Sequence, residues 1–147
     1  LEFRRVLFRS FVAGEYDSVL KMLDEGISGR DSEWIAMARN KVLAHKALRE
    51  GNFQDAVARF RDFMQHVDKT WQASEADPST GLNYTKEMTL GFNARRIGDI
   101  LQQAGSAPDA AAAYAEARGY YTNALQSLPA TSPEYSLVTN ELSRIPR

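Results

Sequence analysis

Residues 97–117, IGDILQQAGSAPDAAAAYAEA, contain the pattern that decides the fold. Apolar residues precede Gly105 at helical spacing, and the segment that follows it, SAPD, is typical of a helix N-terminus. Gly105 therefore predicts a tight turn between two helices, because glycine adopts the positive φ with which many helices end. Ala110 and Tyr114 place a small and a bulky residue one helical turn apart on the second helix. We expect the two helices to approach closely at the alanine, with the tyrosine filling the adjacent space.

The same arrangement occurs twice more, in GEYDSVLKML from Gly14 and GNFQDAVARF from Gly51. Each segment has a small or apolar residue five positions after its glycine and a bulky residue four positions later. An aromatic residue also lies two positions after each of these two glycines. These positions are Tyr16, Val19 and Leu23 in the first segment, and Phe53, Ala56 and Phe60 in the second. The repetition predicts three helix–turn–helix units.

Helical spacing and helix-terminating residues predict an all-α fold. No stretch of comparable length alternates between polar and apolar residues with period two, as a strand would. The segment QASEADPSTGLN, residues 72–83, is rich in turn-forming residues and predicts a loop. Beyond the segment from Gly14, the expected helices cover about 32–49, 52–67, 84–103, 106–127 and 133–145.

The glycine-centred units resemble the tetratricopeptide repeat, a helical hairpin of about 34 residues, over residues 11–126. This chain departs from the family pattern, since Asn40 and Ala94 stand where the family has Trp, and the three glycines are 37 and 54 residues apart. The resemblance implies stacked antiparallel helical hairpins that form part of an α-solenoid. The positions that match the family's packing pattern are Gly14, Tyr16, Val19, Leu23, Leu43, Ala44, Gly51, Phe53, Ala56, Phe60, Ile97, Gly98, Leu101, Gly105, Ala110, Tyr114 and Ala117.

The resemblance also implies a function, because the first helices of such hairpins line a surface that holds peptides or helices. Lys41 and Arg95 fall at corresponding positions of that surface, where they would hold a carboxylate. The alternative is that these cations are simply solvated. The expected groove residues are Lys41, His45, Leu48, Phe92, Arg95, Arg96, Asp99 and Gln102.

The last segment, residues 133–145, predicts a helix that caps the end of the array. Such a cap suggests a natural C-terminus at Arg147, with the edge of an assembled sequence as the alternative. Its apolar residues would pack against the preceding hairpin: Tyr135, Leu137, Val138, Leu142 and Ile145. Its expected solvent-facing residues are Ser136, Thr139, Asn140, Glu141, Ser143 and Arg144.

Composition limits the classes of function. The chain has 147 residues, of which 44% are hydrophobic and 25% charged, with a net charge of −1. This balance argues against nucleic acid as the main partner, and no apolar run approaches the roughly 20 residues of a membrane span. The absence of cysteine excludes disulfides and thiolate metal sites but leaves the cellular compartment open.

We expect a non-catalytic protein with no cofactor and no metal site. The two histidines, His45 and His66, lie on different predicted helices and lack the spacing of a metal-binding pair. No nucleotide-binding or hydrolase motif is present. The expected partner is therefore a protein or peptide. Two alternatives are a regulatory or oligomerisation region of a larger bacterial signalling protein or enzyme, and self-association through a truncated N-terminal end.

The first ten residues, LEFRRVLFRS, differ in character from the rest of the chain. The codons CTG-GAG-TTC-AGA-CGT-GTG-CTC-TTC-CGA-TCT encode them in order, and this string resembles the end of a common short-read sequencing adapter. We therefore expect residues 1–10 to be translated adapter and residues 11–147 to be a single helical domain truncated at its N-terminus. The loss of a partner helix would then expose Tyr16, Val19 and Leu23 as an apolar patch.

This interpretation makes a prediction about the gene. Upstream of Phe11, reads from an independently prepared library are expected to differ from these ten codons. They should continue instead into another coding sequence. Reads that carry the same ten codons in genomic context would contradict the adapter origin.

Overall fold

The computed structural model describes residues 2–25, 32–71 and 80–147, with side chains described from Arg5 onward. Within these ranges the chain forms seven helices and no strand, which confirms the all-α prediction. Most of the predicted loop, residues 72–79, lies outside the described residues, and residues 80–85 are not helical. The helices are α1 (Glu2–Val12), α2 (Tyr16–Asp24), α3 (Ser32–Arg49), α4 (Phe53–Thr70), α5 (Lys86–Gln103), α6 (Ala107–Ser127) and α7 (Pro133–Arg144).

The three predicted turn glycines adopt the same conformation. Gly14, Gly51 and Gly105 have φ values of 77°, 76° and 83°. In each turn the glycine N–H donates to the carbonyl three residues back, and the next N–H donates to the carbonyl five residues before it. This is the Schellman arrangement, which satisfies carbonyl groups that a helix end otherwise leaves unpaired. The next helix begins two residues after the glycine in all three cases.

Side-chain capping explains where several helices begin. Asn52 Oδ1 accepts a hydrogen bond from the backbone N–H of Asp55 at 3.3 Å, as expected for the start of α4. Ser132 Oγ likewise accepts from the N–H of Tyr135 at 3.2 Å at the start of α7. The expected cap at Ser106 is only partly present, because its side chain makes no capping hydrogen bond and α6 begins with Ala107-Pro108 instead. Proline at this position needs no hydrogen-bond partner for its nitrogen.

The sequence predicts one helical domain over residues 11–147, whereas the contacts divide the chain into two compact units, residues 1–63 and 64–147. The division falls within α4.

In unit 1, polar contacts join α2 and the turn before it to α3 in a single antiparallel register. The Lys46 ammonium lies 2.8 Å from the Asp17 carboxylate, and Arg39 pairs with Asp24. At the turn, the Arg49 guanidinium donates to the Gly14 carbonyl oxygen at 2.5 Å. From one contact to the next, the residue number rises on the α2 side by three and then seven, and falls on α3 by the same amounts. Exposed pairs of this kind contribute little stability individually, but they are consistent with one alignment of the two helices.

The apolar core of unit 1 includes a residue from the adapter-like segment. Leu7 of α1 packs with Val19, Leu23 and Val42, and these last three side chains are at most 4% exposed. The expected apolar patch at Tyr16, Val19 and Leu23 is therefore not exposed, and that expectation is wrong for this chain. The reason is that residues 2–12 form a helix whose inner face covers α2.

In unit 2, α5 and α6 pack against each other antiparallel through two glycine–tyrosine contacts. A Cβ atom added at Gly98 would lie 2.6 Å from ring carbons of Tyr114, and one added at Gly91 would lie 2.5 Å from the Tyr121 ring. Both glycines and both tyrosines are buried. The glycines are seven residues apart on α5 and the tyrosines seven apart on α6, so each ring lies directly on the facing backbone.

Most of the predicted packing positions lie in the cores of the two units. Those that are buried are Val19, Leu23, Ala44, Ala56, Phe60, Ile97, Gly98, Ala110, Tyr114 and Ala117. Tyr16, Leu43, Phe53 and Leu101 are half-buried, as is Gly14, whereas the turn residues Gly51 and Gly105 are exposed.

The glycine–tyrosine contacts predict opposite effects of glycine-to-alanine substitutions within helices. Gly91→Ala and Gly98→Ala should each lower the free energy of unfolding by about 1–3 kcal/mol, because the added methyl group overlaps a buried ring. Gly119→Ala is the matched control, since Gly119 is exposed in α6 with nothing within 4 Å of an added Cβ. It should raise the free energy of unfolding by about 0.5–1 kcal/mol. Urea unfolding followed by circular dichroism measures all three, and stabilisation by the two α5 substitutions would contradict the contacts.

Candidate functional site

The α5 residues expected in the groove fall on one side of the helix, and the chain itself contacts that side. The Phe92 ring lies 5.5 Å from the Tyr84 ring and 5.6 Å from the Tyr121 ring, centroid to centroid. Arg95 and Asp99 follow at helical spacing and form an ion pair, with Nη1 2.8 Å from Oδ2. The α5 side of the predicted groove is therefore an interface with other parts of unit 2.

Arg95 binds a carboxylate, as the sequence predicted for a partner, but the carboxylate belongs to α7. Its Nε lies 3.0 Å from Oε2 of Glu141, and the Glu141 side chain is only 16% exposed. The Tyr121 hydroxyl donates to the same carboxylate oxygen at 3.4 Å. Burial opposes the charge of Arg95, but the carboxylates of Glu141 and Asp99 outweigh that effect, and the pKa of Arg95 is raised.

Glu141 is thus not on the solvent-facing side of α7, where the sequence placed it. The half-buried guanidinium of Arg95 lies between two carboxylates, since Asp99 of α5 and Glu141 of α7 both pair with it. Removal of Glu141 would leave the pair with Asp99 in place, whereas removal of Arg95 would leave the largely buried carboxylate of Glu141 without its cation.

Tyr114 continues this polar cluster toward the C-terminal end of α5. Its hydroxyl donates to Asp99 Oδ1 at 2.5 Å and lies 2.9 Å from the amide oxygen of Gln102. Burial and the bond to Asp99 raise the pKa of Tyr114 to about 12. Burial and the charge of Glu141 also raise the pKa of Tyr121. Both tyrosines are therefore neutral hydrogen-bond donors across the physiological pH range.

The C-terminal segment, residues 133–147, contacts α5, the residues before α5, and α6. Near its start, Glu134 accepts a hydrogen bond from the backbone N–H of Asn83 at 3.0 Å. At its middle, Glu141 lies on Arg95. Beyond its end, the Pro146 carbonyl oxygen accepts from Arg118 Nη1 at 2.9 Å. α7 is therefore parallel to α5 and antiparallel to α6.

A cavity of about 170 Å³ remains beside this segment. Its walls combine small and apolar side chains of α6 with polar groups at the end of α5 and the C-terminal residues. The lining residues are Gln102, Ala107, Ala110, Ala111, Tyr114, Arg118, Pro146 and Arg147.

In unit 1, the predicted groove residues of α3 lie against aromatic rings. The Lys41 ammonium is 5.6 Å from the centroid of Phe11 and 5.5 Å from that of Phe63. The His45 ring makes edge contacts with Phe11 at 4.9 Å and Phe60 at 5.1 Å. His45 is thus a packing residue at the edge of the core.

Lys41 and His45 are half-buried, as is Leu48. Three of the predicted groove residues belong to unit 1 and five to unit 2, so each set is described within its own unit. Within unit 2, Arg96 is half-buried and Gln102 is exposed.

Sequence reasoning missed Glu141, Gly91 and Asn93 in unit 2. Glu141 was placed on a polar face, and Gly91 carried no signal beyond helical spacing. Seven-residue spacing of Gly91 from Gly98, and of Tyr121 from Tyr114, is the signal that could have found the second contact. Asn93 is only 5% exposed, and its Oδ1 has no hydrogen-bond partner among the residues that the structure describes.

No helix in the described part of the chain is both long and apolar enough to cross a membrane. Among the same residues, no group of three or more histidines and carboxylates is arranged to hold a metal ion. No family model, no curated protein and no solved structure matches the chain.

The raised pKa of Tyr114 predicts a loss of stability at alkaline pH. An unfolded tyrosine loses its proton near pH 10, whereas Tyr114 in the folded protein loses it near pH 12. The unfolded state is therefore deprotonated first, and the free energy of unfolding falls as pH rises through this window. Tyr114→Phe should show a smaller fall, measured by urea unfolding at about pH 8 and at two values within the window. Equal falls in the variant and the wild type would contradict this contribution of Tyr114.

Proposed function

We propose that the chain is a non-catalytic protein-interaction module, related to tetratricopeptide repeats, which binds a peptide or helix on the first helices of its hairpins. The observation that carries this proposal is the contact between Arg95 on α5 and Glu141 on α7. Here a cation at a predicted partner-binding position binds the carboxylate of an amphipathic helix, which is the recognition expected of the module.

The regularity of the turns supports a repeat architecture. Gly14, Gly51 and Gly105 make the same pair of backbone hydrogen bonds. The residue five positions after each glycine also donates its N–H to the carbonyl of the residue that follows the glycine. Equivalent local geometry at three turns is expected where one supersecondary unit is repeated.

The side chains of α3 suit a partner with carboxylates and apolar residues. Lys41 has three N–H donors, and its contacts with the faces of Phe11 and Phe63 are electrostatic attractions to the rings. A carboxylate could join such a site by a charge-assisted hydrogen bond, while neighbouring rings would receive apolar side chains.

Selection from a displayed peptide library tests the proposal. The full chain, immobilised through its C-terminus, should enrich acidic peptides with regularly spaced apolar residues. Backbone amide shifts in NMR spectra should then change mainly in α3 on addition of an enriched peptide, and less in α2 and α4.

A matched pair of variants sharpens this test. Lys41→Met should weaken binding of the enriched peptides by about tenfold, since a charge-assisted contact contributes about 1.5–3 kcal/mol and each tenfold corresponds to about 1.4 kcal/mol. Lys21→Met removes an exposed lysine from α2 and should leave binding unchanged. No enrichment of any peptide, or shift changes confined to α4 and α6, would overturn the proposed function.

A further inference from the structure

One face of the α5–α6 pair already holds a helix. On this face, Arg95 and the Tyr121 hydroxyl both contact the carboxylate of Glu141. Val138 of α7 is fully buried, and Ile145, the residue that follows α7, is only 5% exposed. The recognised pattern is therefore a carboxylate between two buried apolar residues, one within the helix and one just after its end.

The connection to α7 is short. α6 ends at Ser127 and α7 begins at Pro133, so only residues 128–132 link them. A short tether holds α7 at a high effective concentration, in the millimolar range for flexible linkers, and any competing helix must bind better than α7 does.

The C-terminal segment that contains α7 leaves space beside α6 that a competing helix could fill. The cavity of about 170 Å³ borders the C-terminal residues Pro146 and Arg147, beside Tyr114 and the alanines of α6. The space is open to solvent on one side, since Ala107, Ala111, Pro146 and Arg147 are exposed. α7 and the residues after it leave apolar surface uncovered here. An apolar side chain that fills this space would remove that surface from water.

We propose that this face, formed by Arg95, Tyr121, Arg118 and the cavity beside Tyr114, is the docking surface for an amphipathic helix of a partner protein. The helix supplies a carboxylate in place of Glu141 and a bulky apolar side chain that enters the cavity. α7 is the resident occupant that the partner displaces. The proposal rests on the proposed function and names the chemistry of its partner.

Labelled peptides that copy residues 130–147 test the docking surface by fluorescence anisotropy. The first peptide has the natural sequence, the second carries Glu141→Gln, and the third carries Pro146→Phe to fill the cavity. Each is titrated with the full chain and with a full-chain variant, Val138→Ala/Glu141→Gln, in which α7 is held less tightly. The matched control is Ser136→Ala/Asn140→Ala, which changes two exposed residues of the same helix.

The natural peptide should bind the Val138→Ala/Glu141→Gln chain with at least about tenfold higher affinity than it binds the wild type or the control. The reason is that α7 competes less well in this variant, and each tenfold in affinity corresponds to about 1.4 kcal/mol. The Glu141→Gln peptide should bind more weakly than the natural one, and the Pro146→Phe peptide more tightly. Equal binding to the three chains, or no preference among the peptides, would overturn the docking surface.

Hydrogen exchange of the wild-type chain decides the matter even if the weakened variant fails to fold. Addition of the Pro146→Phe peptide should accelerate exchange of the α7 backbone amides, because the peptide takes the place of α7. Unchanged exchange at saturating peptide would show that α7 is a permanent cap and would overturn the proposal. If library-selected peptides still bind at α3 in that case, the proposed function stands and only this surface is lost.

Discussion

The close approach of α5 and α6 depends on two tyrosine rings that lie against glycine backbone. Tyr114 and Tyr121 occupy space that any side chain at Gly98 or Gly91 would fill. Because the rings are buried, they cannot move aside without opening the core of unit 2. The same two side chains direct their hydroxyl groups toward Asp99 and Glu141, so one pair of residues determines both the packing of α5 on α6 and the polar cluster that receives α7.

The polar cluster combines one cation and two carboxylates with the two tyrosine hydroxyls. Asp99, Arg95 and Glu141 come from two helices, and the carboxylate of Glu141, which is only 16% exposed, would carry a desolvation cost without its cation. The tyrosine hydroxyls supply neutral donors that add no charge. An interface built in this way favours a carboxylate at the position of Glu141, since a neutral or basic side chain there would remove the ion pair between the two helices and leave Arg95 paired with Asp99 alone.

Much of the fold could be predicted from the sequence because its signals are local. Positive φ at Gly14, Gly51 and Gly105 follows from the chemistry of helix ends, and the helix limits follow from caps such as Asn52 and Ser132.

The candidate site was predicted only in part. Arg95 was identified as a residue that binds a carboxylate, but local patterns carry no information about which carboxylate comes to lie beside it. Glu141 is 46 residues away along the chain, and helical spacing alone placed it on the solvent-facing side of α7. His45 was similarly assigned to a groove, although rings from other helices of unit 1 enclose it.

The most direct test of this account is an NMR measurement of the glycine–tyrosine contacts in the full chain. The account predicts nuclear Overhauser cross-peaks from the Gly98 Hα protons to the Tyr114 ring and from the Gly91 Hα protons to the Tyr121 ring. It also predicts that the chemical shifts of these Hα protons are displaced by the ring currents. Random-coil shifts at both glycines, with no cross-peaks to either ring, would show that α5 and α6 do not meet in this register and would contradict the account.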